Sequence, residues 1–316
     1  MPRPLYKGVF HLPGFIQNQS MKILFLFLFP MLFFPVPGYS QETAPSISSL
    51  IEEGDHHWDL RDEGAQGSSA ESKEVDLAIA AYRQALASSP DSLGARWRLM
   101  RALFFKGEYA TDDNEAKKKI FDEGKSVGEK ALQLIRQEAS RRAGKSFDNA
   151  GPVELAPVLE KSPDVIGCFF WSSANWGMWA LAYGKFQAVR KGAAGKIRDL
   201  ATAVTMMDPG YAQGGGYRVL GRLHHQTPYV PFITGWASTK KGVVFLRKAY
   251  QIEPHNSANR LYLAEALWDW DSDSRKEAMT LAEELVHDTA RSDFRVEDLA
   301  AQEKAQALLE KWRGKN

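Results

Sequence analysis

The sequence predicts an all-α fold, a single superhelix of paired helices of the α-solenoid kind. Three observations carry that prediction. Small, aromatic and proline residues recur at matching intervals in separate parts of the chain. Strand signals are nearly absent, and β-branched stretches such as Val243-Val244 sit inside helical periodicity. The last segment again places apolar residues at helical spacing. Such self-similarity marks arrays in which each unit buries its apolar face on the next.

Taken from the N-terminus, residues 1–20 read as upstream sequence translated from a start placed too early, because Met21 opens a better leader. Residues 21–40, MKILFLFLFPMLFFPVPGYS, have the three parts of a secretory signal peptide: Lys22, an apolar run Ile23–Val36, and small Gly38 and Ser40 before a cut at Gln41. The run is shorter than the about 20 residues of a spanning helix, and Pro30 and Pro35 interrupt it. A retained anchor is the alternative. The expected mature chain, 41–316, is one helical-repeat domain, exported to the periplasm.

Its clearest unit is DLAIAAYRQALASSPDS, residues 76–92. Ala78, Tyr82, Ala85 and Pro90 follow at intervals of four, three and five, the second-helix and closing positions of a tetratricopeptide-like repeat. Small residues let two helices approach, the aromatic fills the space between neighbours, and proline ends the helix. KGVVFLRKAYQIEPHN (241–256) repeats the spacing with Leu246, Ala249 and Pro254, and SANRLYLAEALWDW follows as a first helix. GARWRLMRALFFKGEY (94–109) reads as another first helix. IRDLATAVTMMDPGY (197–211) is a second helix closed by Pro209, and Tyr217, Leu220 and Gly221 fall in first-helix register after it. Four to five helix pairs result, with 61–74 and 111–119 as polar inserts. The segment from Val296, with Leu299, Leu308, Leu309 and Trp312, is expected to cap the open end.

Composition excludes some partners. With 40 basic and 39 acidic residues the formal charge is +1, so no broad attraction to nucleic acid or to anionic lipid is encoded. Removing 1–40 takes away Arg3, Lys7 and Lys22 and leaves 37 basic against 39 acidic. Cys168 is the only cysteine, so neither an intramolecular disulfide nor a lipid-bearing cysteine after the leader can form. Adjacent His56-His57 and His224-His225 point about 100° apart on a helix and read as solvated or hydrogen-bonded, not as metal ligands. Asp269, Asp271 and Asp273 resemble the start of a calcium loop, but Ser274 and Thr280 stand where it wants glycine and glutamate. Ser274 with Glu277 reads instead as a capping box. AQGGGYR (212–218) lacks the lysine and hydroxyl of a P-loop and reads as an inter-helix turn, with Arg218 a candidate for a small anion. Cys168 has no histidine placed beside it and reads as a buried thiol. No metal, cofactor or catalytic group is expected.

FFWSSANWGMWALAYGKF, then MMDPGYAQGGGYRVLGRLHHQTP, then FLRKAYQIEPHNSANRLYLAEAL, resembles in content and order the T-component (TatT) family of TRAP transporters, the tripartite ATP-independent periplasmic systems. The resemblance runs from about Leu77 to Leu285 and rests most on Trp171, Ala174, Asn175 and Gly177, and on Tyr217, Leu220, Gly221 and Pro228. It implies a periplasmic helical protein working beside a solute-binding protein and a membrane permease. It also implies a homo-oligomer, such as a trimer, and apolar clefts or pores for an apolar or organic-acid solute. Family members are often lipoproteins, and this chain departs there.

The tryptophan-rich stretch Cys168–Phe186 is then expected to be a central helix packed on several sides. Ser172, Ser173, Asn175 and Lys185 make it a poor membrane span. Trp171, Asn175 and Trp179 share one face, with Asn175 midway. Asn175 either bonds a neighbouring helix or orients a ligand in an aromatic cleft. Trp171, Asn175, Trp179, Tyr217 and Arg218 are the candidate ligand residues. The alternative function is a general envelope scaffold that binds protein in an open groove lined by Arg96, Arg98 and Arg101.

Overall fold

The computed structural model describes residues 45–160, 162–228 and 234–314. The expected mis-start and signal peptide lie outside them. The described helices, in chain order, are α1 (Ile47–Asp59), α2 (Ser72–Ser88), α3 (Leu93–Tyr109), α4 (Asn114–Ala143), α5 (Pro152–Leu155), α6 (Pro163–Tyr183), α7 (Lys185–Arg190), α8 (Ala193–Met207), α9 (Tyr211–Gln226), α10 (Thr239–Ile252), α11 (Ser257–Trp270), α12 (Arg275–Val286) and α13 (Arg295–Arg313). No strand occurs among the described residues; Gln66 and Ser69 form one isolated bridge. The fold is an all-α helical-repeat superhelix.

Antiparallel neighbours pack in sequence: α1 on α2, α3 on α4, α6 on α8, α9 on α10 and α11 on α12, with each second helix meeting the next first helix. Side-chain caps start several of them. Ser46, Ser92, Asp113, Ser238 and Asn256 each accept a hydrogen bond from a backbone amide of the following turn. Proline closes α2, α8 and α10, at Pro90, Pro209 and Pro254.

The repeat residues sit where their sizes require. Ala78, Tyr82, Ala85 and Ala249 are fully buried. The Tyr82 ring occupies the space a side chain at Gly54 would need, so α1 lies close on α2. A β-carbon at Gly221 would strike Leu246 and the Gly242 carbonyl, which fixes the tight crossing of α9 and α10. At Gly177, by contrast, an added β-carbon meets nothing within 4 Å. The close approaches to α6 are made from the other side, where Gly124 and Gly128 of α4 face Asn175 and Ser172.

The helix α6 is central, packed against α3, α4 and α8. Phe169, Phe170, Trp176 and Trp179 join Phe121, Ile135 and Leu200 in the largest core. A second core holds Leu246, Leu263, Leu267, Leu281, Leu285, Leu309 and Trp312, with Trp268 and Trp312 stacked at 4.5 Å between centroids. No described helix is long and apolar enough to cross a membrane.

The last helix does more than cap an open end. Its C-terminal half covers α11 and α12, while its N-terminal half lies on the start of the array. Val296, fully buried, belongs to the core of Tyr82, Leu99, Leu103 and Phe105. Arg61 donates to Glu297 Oε1 from Nε at 3.3 Å and Nη2 at 3.1 Å, and from Nη2 to the Asp293 carbonyl. Ser68 Oγ donates to Glu303 at 2.5 Å and Lys304 Nζ pairs with Glu108 at 3.0 Å. The array returns on itself, and the insert before α2 is the seat that receives α13.

Two further expectations need correction. Most of 111–119 is not an insert, since Asp113 caps α4 and the helix runs through Lys117, Lys118 and Lys119. Ser274 makes no side-chain cap. Asp271 caps a short 3-10 turn ahead of α12, and Glu277 is taken by Arg247 in a two-point pair of 2.6 Å bonds. A fork-to-fork arginine pair is stronger than the bond a capping box offers.

Candidate functional site

Arginines and aromatic rings from the first helices converge where the array closes. On the α1–α3 side the Arg101 guanidinium lies 4.0 Å from the Trp58 ring centre and 5.0 Å from Trp97, and Arg98 lies 4.3 Å from Trp97. Planar guanidinium on an aromatic face is a favourable stack that leaves some N–H edges free. Asp55 alone balances both: it accepts from Arg98 Nε at 2.8 Å, Arg101 Nη2 at 3.2 Å and the Tyr82 hydroxyl at 2.7 Å. Burial lowers the Arg101 pKa, and burial raises that of Tyr82. An aromatic path continues from Phe104 to Trp171 (5.6 Å), to Phe170 (4.9 Å) and to Tyr211 (5.6 Å). Burial pushes the Tyr211 phenol up to about 12, against the pull of Arg101.

The α9–α11 side is built on an irregular turn. Ala212, Gln213 and Gly214 are all left-handed, with φ of 49°, 59° and 76°. Residues with a β-carbon lose about 1–2 kcal/mol each there, so the turn needs holding. Asn259, fully buried, donates to the carbonyls of Gln213 (3.0 Å), Ala249 (2.9 Å) and Glu253 (3.1 Å). Asn256 and Arg291 both donate to Gln213 Oε1, at 2.6 and 3.1 Å. Arg218 completes the clamp, donating to the Ala212 and Gln213 carbonyls and to Asn259 Oδ1 at 2.9 Å.

Every acceptor of Arg218 is neutral. Arg291 has Asp298, Arg222 has Glu265, Lys304 has Glu108 and Arg61 has Glu297, but Arg218 has no carboxylate among the described residues. Burial lowers its pKa. Of its five donors, Nε–H and one Nη2–H have no acceptor among the described residues. Tyr109 and Tyr262 are its electrostatic neighbours, and neither hydroxyl makes a hydrogen bond among the described residues. Burial raises the Tyr109 phenol well above its ordinary pKa. Chemically, this is a largely desolvated cation whose acceptors are all neutral, with two phenols as its electrostatic neighbours.

Of the five sequence candidates, Arg218 and Trp171 face this interior, and three do not. Asn175 is fully buried in a helix seam, donating to the carbonyls of Met100 (3.0 Å) and Trp171 (2.8 Å). Trp179 is buried on α4, its indole donating to Asp122 at 2.8 Å and stacking on Tyr183. Tyr217 turns to the second-helix layer, stacked over Phe245 at 6.4 Å beside Lys248. The face shared by Asn175 and Trp179 is filled by α4, so no cleft opens along it. Tyr109, Gln213, Asn256, Asn259, Tyr262 and Arg291 were missed. Arg96 is not in the groove either: its Nη2 donates to the Pro90 carbonyl, as Arg260 does to Pro254 at 3.0 Å.

Other chemistry-bearing groups are dispersed. Cys168 is buried, its thiol pKa raised by burial, with Sγ 3.6 Å from the Leu93 carbonyl. His57 meets Glu74 at 2.7 Å and His225 meets Asp269 at 2.9 Å. His224 lies between Trp236 and Phe245, and burial lowers its pKa to about 4. Among the described residues no three of His, Cys, Asp or Glu converge as a metal site.

The architecture is that of a helical-repeat protein. The crystal structure of TTC0263, a thermophilic TPR protein in Thermus thermophilus, is similar, with a TM-score of 0.46 and 15% identity over 81% of this chain and 98% of that one. No known family profile matches the chain, and no curated protein matches it.

Proposed function

We propose that this chain is a non-catalytic binding protein that takes its partner at the inward faces of its first helices. The observation that carries the reading is the set of Arg98, Arg101 and Arg218 with Trp58, Trp97, Tyr109, Trp171, Tyr211 and Tyr262, in which Asp55 pairs Arg98 and Arg101, Asp164 accepts from the Trp97 indole, and Arg218 meets only neutral acceptors among the described residues. Apolar walls with a few placed charges are the makings of a small-ligand site, and this set of side chains suits a carboxylate with an apolar body. The broader version of the reading is an envelope scaffold for protein–protein interaction, in which an acidic or C-terminal carboxylate group of a partner enters the same face.

The finer version is an exported accessory component of a TRAP-type transporter, handing an organic-acid solute to a periplasmic solute-binding protein, as a trimer or other homo-oligomer. The ordered segments around Trp171 and Tyr217 support it, together with the unpaired Arg218. The test is capture from the periplasm with the mature chain, 41–316, followed by mass spectrometry. Recovery of an extracytoplasmic solute-binding protein is the expected result. Recovery of envelope-assembly or secretion proteins alone sinks the transporter role and leaves the scaffold.

A further inference from the structure

We propose that the elbow between α6 and α7 is a docking surface for an anionic lipid bilayer. Leu181 is 73% exposed, Phe186 79% and Val189 38%, on neighbouring turns either side of Gly184. Exposed large apolar groups clustered this closely mark an interaction surface. Lys185 stands between them and Arg190 and Lys191 follow, all exposed and none in an ion pair among the described residues. No acidic residue occurs from 165 to 198, and the nearest cations in sequence, Lys196 and Arg198, are matched by Glu129 and Asp199. The elbow therefore carries three positive charges outside any ion pair among the described residues, with Asp122 of α4, the acceptor of Tyr183 and Trp179, the acid bonded next to it.

The surroundings are open. A β-carbon added at Gly184, Gly192 or Gly195 would meet nothing within 4 Å. Apolar side chains that enter the acyl boundary, with cations held at the level of the phosphates, are the pattern of an interfacial anchor. The charge selects among occupants. A second copy of this chain would set three cations against three. The chain's own apolar run Ile23–Val36 is preceded by Arg3, Lys7 and Lys22 and no acid, so it too is repelled. An anionic bilayer satisfies both the apolar and the cationic groups. The surface is separate from the interior that holds Arg218, so it stands whatever that interior binds.

The test is a local one. Phe186→Cys in the full chain is labelled with an environment-sensitive nitrobenzoxadiazole; Cys168 is buried, with its thiol pKa raised, and does not compete. Phosphatidylglycerol-containing vesicles are expected to brighten the label and shift it to the blue, and pure phosphatidylcholine vesicles to leave it unchanged. A label at exposed Glu52 on α1 reports whether another part of the chain tethers the molecule, and is expected to keep its aqueous emission. Neutralising Lys185, Arg190 and Lys191 to Gln is expected to weaken the lipid response by about 100-fold, from roughly 1 kcal/mol per cation. Equal responses to both vesicle types overturn the proposal. So does a shift that appears without lipid as protein concentration rises, which is the signature of a second copy. An unchanged label in all vesicles overturns it as well.

Discussion

The turn from α2 to α3 and the turn from α10 to α11 are the same device built twice. Each has a proline, then a cap two residues on, then an arginine six residues on: Pro90, Ser92, Arg96 and Pro254, Asn256, Arg260. In both the arginine reaches back to the proline carbonyl and lies buried. They differ at the residue before the arginine, Ala95 in one and Asn259 in the other. Ala95 packs in an apolar cluster with Leu50 and Ala85, and the turn is purely structural. Asn259 shares its two Nδ2 hydrogens among three carbonyls and accepts from Arg218 at Oδ1, and through these bonds holds the left-handed turn and Arg218. A single side chain thus ties a repeat joint to the left-handed turn and to Arg218.

The comparison breaks most sharply at that position. Asn259→Ala makes the second turn resemble the first but takes one of two donors from each of the Gln213, Ala249 and Glu253 carbonyls and removes the shortest acceptor of Arg218. A loss of about 3 kcal/mol in urea unfolding is expected, at the upper end for one buried polar group. Ala95→Gly, which only removes a methyl, is expected to cost about 1 kcal/mol. Next come the two arginines. Arg96→Met and Arg260→Met should each cost about 1–2 kcal/mol by orphaning a carbonyl, with Arg260 the larger because it also releases Asp288, bonded at 2.9 Å. Equal losses would mean that the Asp288 bond adds nothing.

The α9–α10 joint also responds to acid. His224 has a folded pKa lowered from 6.5 to about 4 by burial. Between those values the unfolded chain binds the extra proton and the folded chain does not, so stability falls as pH drops from 6.5 toward 4. His224→Phe, keeping the ring contacts with Trp236 and Phe245, should flatten that slope. The smallest effect sharpens the strain argument. Ala212→Gly relieves a left-handed alanine and is expected to stabilise by up to about 1 kcal/mol. If it destabilises instead, Ala212 is not strained in the folded protein.

Much of the fold was legible because it rests on period and proline. The intervals around Tyr82 and Ala249 mark helix pairs however the pairs are later stacked. The return of α13 was not legible, because it depends on small rotations summed along the array, and Glu297 and Glu303 look like any solvated helix face. Within the site, periodicity placed Trp171, Asn175 and Trp179 on one side but could not say what lies opposite. The signal was Gly124 and Gly128 in α4, spaced to admit that face. Glycines in AQGGGYR pointed to a turn, yet Ala212 and Gln213 take most of the left-handed backbone, which only Arg218 and Asn259 together make affordable.

The most direct measurement is nitrogen-15 NMR of the arginine Nε–H groups during titration with benzoate, a carboxylate with an apolar body. Arg218 Nε–H has no acceptor among the described residues, so its resonance is expected to move saturably, and chloride at equal ionic strength is expected to leave it in place. A resonance that stays fixed while surface arginines drift together with ionic strength would contradict an anion site at Arg218.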